Sequence, residues 1–149
     1  PELDKRNVRL EVIGQIYRLP EKVQKQIKKS KQELSKNTGL TLVLALNYGA
    51  RSEIAEATRN IAHKVESGDL VPDDIDETLI GMHLYTSQIP DPDLLIRTSG
   101  EMRLSNFLLW QVSYTEMVVT QVLWPEFRKA AFFTALEEYA KRHRRFGKI

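Results

Sequence analysis

Hydrophobic and polar positions follow two rhythms along this chain, and their succession predicts an α/β fold. Val8-Arg9-Leu10-Glu11-Val12-Ile13 has strand length and ends at Gly14. Pro20 then opens a helix with Val23, Ile27 and Leu34 on one stripe and a lysine-rich outer face, stopped by Asn37-Thr38-Gly39. Leu40 to Leu46 is an almost unbroken apolar run, which predicts an interior strand buried on both faces. A second helix is expected from about Ser52 to Ser67-Gly68, with Ile54, Ile61 and Val65 inward. Pro72-Asp73-Asp74 has the composition of a helix start, leading to a helix with Ile75, Leu79 and Met82 on its apolar face. The rigid turn Pro90-Asp91-Pro92-Asp93 delivers a short strand, Leu94-Leu95-Ile96. Residues 106–112 fit helix or strand; an N-cap at Ser105 or Asn106 favours helix. Glu116 to Val122 has strand content, and Pro125 begins a terminal helix with Phe132, Leu136 and Tyr139 inward.

Strand and helix thus alternate, which predicts a mainly parallel sheet of four strands with helices on both faces. No repeat, low-complexity tract or interdomain linker interrupts the 149 residues, so the expectation is a single domain. The chain opens mid-element at Pro1-Glu2-Leu3-Asp4, without an initiator Met or a signal-peptide pattern. That opening suggests the later portion of a longer domain.

Composition narrows the chemistry. The absence of cysteine excludes a disulfide scaffold, a thiol nucleophile and cysteine-ligated metal. No apolar run approaches the roughly 20 residues of a membrane span. With 22 basic against 20 acidic residues the formal charge is only +2, which argues against a nucleic-acid surface. His63, His83 and His143 show no metal-ligand spacing, and no nucleotide-binding glycine loop is present.

Ligands of parallel sheets bind beyond the carboxyl ends of the strands. Two predicted strand ends lead into polar, glycine-containing segments, Asn47-Tyr48-Gly49-Ala50-Arg51 and the denser Arg97-Thr98-Ser99-Gly100-Glu101-Met102-Arg103-Leu104-Ser105. Two guanidinium forks, three hydroxyls, a glycine and an expected helix start make an anion cradle. A plainer account has Arg97 ion-paired to Glu101 or Asp93 and Ser105 serving as an N-cap only. The basic end Lys141-Arg142-His143-Arg144-Arg145 reads, by itself, as a solvated helix terminus.

The run from Pro90 to Gln111 resembles the signature of the cis-prenyltransferases. So do Glu116, Leu123-Trp124-Pro125-Glu126-Phe127, the stretch from Gly39 to Ile54, and Arg145-Phe146-Gly147. The resemblance covers essentially the whole chain. It implies an enzyme that condenses isopentenyl diphosphate with an allylic diphosphate of the farnesyl type, building a long polyprenyl diphosphate such as undecaprenyl diphosphate for a cell-wall lipid carrier. It assigns isopentenyl diphosphate to Arg97, Arg103 and Ser105, magnesium to Glu116, and a diphosphate contact across a homodimer to Arg145 and Gly147. It also implies a cytoplasmic protein that meets the membrane peripherally through its lipid product. The family's His-x-Asp-Gly-Asn-x-Arg string, whose aspartate binds magnesium, has no counterpart, since none of the seven glycines follows Asp or Asn. Met102 stands where some members carry His, and Ala50 where many carry Gly. The expectation is the later part of a synthase, inactive alone; a non-catalytic accessory subunit of a heteromeric enzyme is the alternative, and an unrelated phosphate-binding module a third.

Overall fold

A computed structural model of the chain describes residues 2–142, in two compact units divided after Gln88. In the first unit the elements run α1 (Glu2–Lys5), β1 (Arg9–Ile13), α2 (Glu21–Glu33), β2 (Thr41–Ala45), α3 (Ala50–Glu66) and α4 (Glu77–His83). Strands β1 and β2 pair in parallel, Arg9 opposite Thr41 and Ile13 opposite Ala45. Val8, Leu10, Ile13, Leu34, Ala57, Ile61 and Leu84 are buried in this unit. Gly14 ends β1 at φ +113°, and a Cβ there would strike the carbonyl oxygen of Leu46, so only glycine lets the two strand ends close on each other. Gln15 N–H donates to Asn47 O at 3.2 Å, and Asn47 Nδ2 returns a bond to Gln15 O at 3.1 Å.

The second unit contains β3 (Leu94–Arg97), β4 (Glu116–Val119) and α5 (Lys129–Ala140). Its strands are also parallel, with Leu94 opposite Glu116 and Arg97 opposite Val119. The α/β class and the parallel pairing are therefore as the pattern predicts, and the four expected strands are present.

Four local expectations are corrected. Residues 106–112 form turns, because Ser105, Asn106 and Leu108 take left-handed φ of 51°, 63° and 46° that no α-helix admits; Ser105 is consequently not an N-cap. Pro72–Asp74 is a single 3-10 turn, and α4 starts later, where the Asp76 carboxylate accepts the Leu79 N–H at 2.7 Å. Ile75 and Met82 are exposed there. Trp124–Glu126 is likewise a 3-10 turn, so α5 begins at Lys129, with Ala135 as its buried residue and Phe132 exposed. Finally, β2 is not covered on both faces: no β2 residue is fully buried, and Leu44 is exposed because β1 is its sole partner among the described residues.

Candidate functional site

The segment expected to cradle an anion lies in the second unit, where the chain leaves β3. Its frame is main chain: Thr120 N–H donates to Arg97 O at 2.9 Å, Gly100 N–H to Thr120 O at 2.9 Å and Ser99 N–H to Val122 O at 3.0 Å. Ser99 and Gly100 sit at φ 66° and 68°, which turns the chain back over β4; a Cβ on Gly100 would strike the Gln121 side-chain amide. Left-handed backbone at non-glycine residues is costly, and it is concentrated here at Ser99, Ser105, Asn106 and Leu108. The N–H groups of residues 101–105 make no backbone hydrogen bond among the described residues, so they remain available as donors.

The charged side chains differ in setting. Arg97 is half-buried at the carboxyl end of β3; its Nε is fully buried without a hydrogen-bond partner, and it makes no ion pair among the described residues. A buried guanidinium nitrogen left unpaired is costly unless a ligand completes it. The plainer account, in which Glu101 neutralises Arg97, is not realised: Glu101 Oε2 instead meets Arg103 Nη1 at 2.7 Å, on an exposed side chain. Such a surface pair is weak and yields readily to a more highly charged anion. Ser105 and Met102 are exposed on the same segment.

Glu116 lies elsewhere. It opens β4 opposite Leu94, at the other end of the parallel pair from Arg97, and its Oε2 accepts Arg142 Nη1 at 3.1 Å. Arg142 also donates to Met117 O at 2.8 Å and to Glu138 Oε1 at 2.6 Å. These carboxylates, Glu116 first, hold the guanidinium above its ordinary pKa. Magnesium usually keeps several waters and takes one or two carboxylates plus phosphate oxygens. The chemistry of Glu116 fits that mode, although no cluster of three or more metal-binding side chains exists among the described residues. Arg145 and Gly147 lie outside the described residues.

The second strand end, at residues 47–51, reveals a group that motif reading passes over. Glu53, in the first turn of α3, is 1% exposed. Its Oε2 accepts the Tyr48 hydroxyl at 2.5 Å and its Oε1 the Tyr85 N–H at 2.8 Å. The two tyrosine rings meet edge to face at 6.4 Å, and the Tyr85 hydroxyl donates to Glu56 at 2.7 Å. The signal was present in the spacing: Ala50, Glu53, Ala57 and Ile61 share one buried stripe, with a carboxylate where an apolar residue is expected. Ala50 itself is fully buried, so its methyl is accommodated there.

Burial, followed by the bond to Glu56, pushes the Tyr85 phenol well above its usual value of 10.0. A raised phenol favours the neutral form, so its contribution to stability is intact below about pH 10 and is lost as pH climbs from there through the folded-state value. Tyr85→Phe is expected to flatten the fall in stability above pH 10, read by denaturant titration across alkaline pH; an unchanged alkaline limb rules this linkage out.

A loop carrying arginines beyond the carboxyl end of a parallel strand lies where α/β proteins place their ligands. Comparison with known proteins gives the family: a model described as putative undecaprenyl diphosphate synthase matches residues 1–147, and the chain belongs to that family, the cis-prenyltransferases. It is 53% identical over 149 residues to isoprenyl transferase of Geobacillus kaustophilus, spanning all of this chain and 58% of that protein. It is 49% identical over 147 residues to the ditrans,polycis-undecaprenyl-diphosphate synthase ((2E,6E)-farnesyl-diphosphate specific) of Micrococcus luteus, 99% of this chain and 59% of that one. The chain thus spans less than two-thirds of these curated relatives. Among solved structures, lavandulyl diphosphate synthase from Lavandula x intermedia, in complex with dimethylallyl diphosphate, superposes with TM-score 0.95 at 45% identity, covering 99% of this chain and 64% of that one. A probable undecaprenyl diphosphate synthase from Campylobacter jejuni gives 0.84 at 36% identity, covering 99% and 66%.

Proposed function

We propose that these 149 residues are the later part of one cis-prenyltransferase domain and carry its isopentenyl diphosphate site. The observation that carries this reading is Arg97, a half-buried guanidinium with an unpartnered buried Nε, at the strand end where the family signature lies. Arg97 grips the diphosphate, Arg103 exchanges Glu101 for a phosphate oxygen, and the Ser105 hydroxyl with the N–H groups of 101–105 donates to the rest. Arg145 and Gly147 reach the diphosphate across a homodimer. Their work is positioning: holding the substrate's double bond against an allylic carbon, as in a farnesyl-type diphosphate, turns a bimolecular encounter into an oriented one. The new carbon–carbon bond forms as the allylic carbon–oxygen bond breaks, pyrophosphate departs with the electron pair, and a proton is lost. Glu116, once released by Arg142, would hold magnesium, which would supply charge neutralisation for the diphosphates.

Repetition yields a long polyprenyl diphosphate such as undecaprenyl diphosphate, made in the cytoplasm and delivered to the membrane from its surface. The aspartate motif of the family is absent from this sequence, so the chain by itself binds substrate without elongating it. Calorimetry is expected to show magnesium-dependent, saturable binding of isopentenyl diphosphate to the chain, and mass spectrometry no longer prenyl product from added farnesyl diphosphate. Turnover contradicts the division of labour; absence of binding contradicts the site.

A further inference from the structure

We infer that Arg142 is a tethered cation that keeps the place of a divalent metal ion at Glu116, so that the guanidinium and the metal exclude one another. Three oxygens from two elements of the second unit converge on this one side chain. Glu116 Oε2, at the start of β4, accepts from Arg142 Nη1 at 3.1 Å, and Met117 O accepts from the same nitrogen at 2.8 Å. Glu138 Oε1, in the last turn of α5, accepts from Nη2 at 2.6 Å. Carboxylate and carbonyl oxygens are the donors that hard divalent cations take. The cluster is also better covered than the pairs on helix surfaces. The Arg142 and Glu116 side chains are 34% and 26% exposed, against 71% and 66% for Arg6 and Glu2.

Charge shows what the cluster still lacks. Two carboxylates share one guanidinium, so one negative charge is left over. The last turn of α5 holds no basic residue, and the negative end of the helix dipole adds to the demand for a cation. A monovalent group therefore under-fills a setting that a divalent ion balances. It holds that setting nonetheless because the chain carries it there, at a high effective concentration. A metal ion has to displace it and shed water as well, which magnesium does reluctantly. The guanidinium given up stands three residues before Arg145, in the stretch assigned above to the diphosphate, and its charge becomes available to phosphate oxygens. This rests on the reading of Glu116 as the magnesium carboxylate and goes beyond it, because it gives Arg142 a sign. A clamp that only fastens α5 to β4 predicts the opposite: its removal loosens Glu116 and weakens any cation bound there.

Manganese(II), which suits the same oxygen ligands as magnesium, is the probe, with the free ion counted by electron paramagnetic resonance as the full chain is titrated. Arg142→Gln is expected to tighten binding by about 5- to 10-fold, the worth of a charge-assisted pair in partial contact with water. Arg142→Lys, which keeps a tethered cation without the planar fork, falls between that variant and the unaltered chain. Lys141→Gln removes a neighbouring charge that has no ion-pair partner among the described residues, and changes the affinity less than about twofold. Adding Glu116→Gln to Arg142→Gln abolishes the gain. Circular dichroism confirms that each variant is folded. Unchanged or weaker binding by the Arg142→Gln protein, equal tightening by Lys141→Gln, or tightening that survives Glu116→Gln overturns the inference. Binding that depends on Glu116 but is indifferent to Arg142 leaves the magnesium reading standing and removes only the tethered cation. Binding that depends on Glu116 in no variant removes both.

Discussion

Arg97→Ala lowers the affinity for isopentenyl diphosphate by about 10- to 150-fold, the equivalent of one charge-assisted contact of about 1.5–3 kcal/mol. The size follows from where the guanidinium sits. Its Nε is already out of water and unpartnered in the free protein, so the desolvation cost has been met before the ligand arrives and the new bond is gained in full. Arg97→Lys recovers little, since an ammonium cannot reproduce the planar fork. Arg103→Ala costs less, because Arg103 is exposed and gives up its bond to Glu101 on binding. Calorimetry of the three variants measures this order; an Arg97→Ala protein with unaltered affinity removes the residue from the site.

Glu53→Ala destabilises the first unit by about 3–4 kcal/mol. The substitution strips the Tyr48 hydroxyl and the Tyr85 N–H of their acceptor and leaves a void under α3. Glu53→Gln, which keeps one acceptor oxygen and the volume, costs about 1–2 kcal/mol. Urea titration followed by circular dichroism measures both, and a loss below about 1 kcal/mol for the alanine protein contradicts the account.

Much of this architecture was legible because the strands and long helices carry strong periodic signals. Arg9–Ile13, Thr41–Ala45 and Leu94–Arg97 lie within or one residue beyond the predicted runs, and α2 and α3 begin and end within a few residues of their markers. Element starts at Pro72 and Pro125 were misplaced for one reason. Proline opens 3-10 turns as readily as α-helices, and the chain extends again at Ile75 and Phe127 before each helix begins. The segment from Ser105 to Val112 misled more deeply. Its apolar spacing is helical, yet left-handed φ at Ser105, Asn106 and Leu108 breaks it into turns, and periodicity does not report backbone handedness. Of the candidate site, Arg97, Arg103 and Ser105 stand out by residue type and placement. The pairing of Arg103 with Glu101 could not, because two acids and two arginines within a dozen residues allow several partners. Arg142 was hidden differently: in a run of bases at a helix end nothing singles out the one that folds back on Glu116.

The frame of the cradle consists of amide-to-carbonyl links from Ser99, Gly100 and Thr120, none of which depends on a side chain. Substitution at the exposed positions around it, Met102 and Arg103 among them, consequently redecorates the rim without redrawing its outline. Descendants of such a protein are free to trade one recognition chemistry for another there, keeping the same loop as chassis, while the two glycine-dependent closures at residues 14 and 100 resist drift.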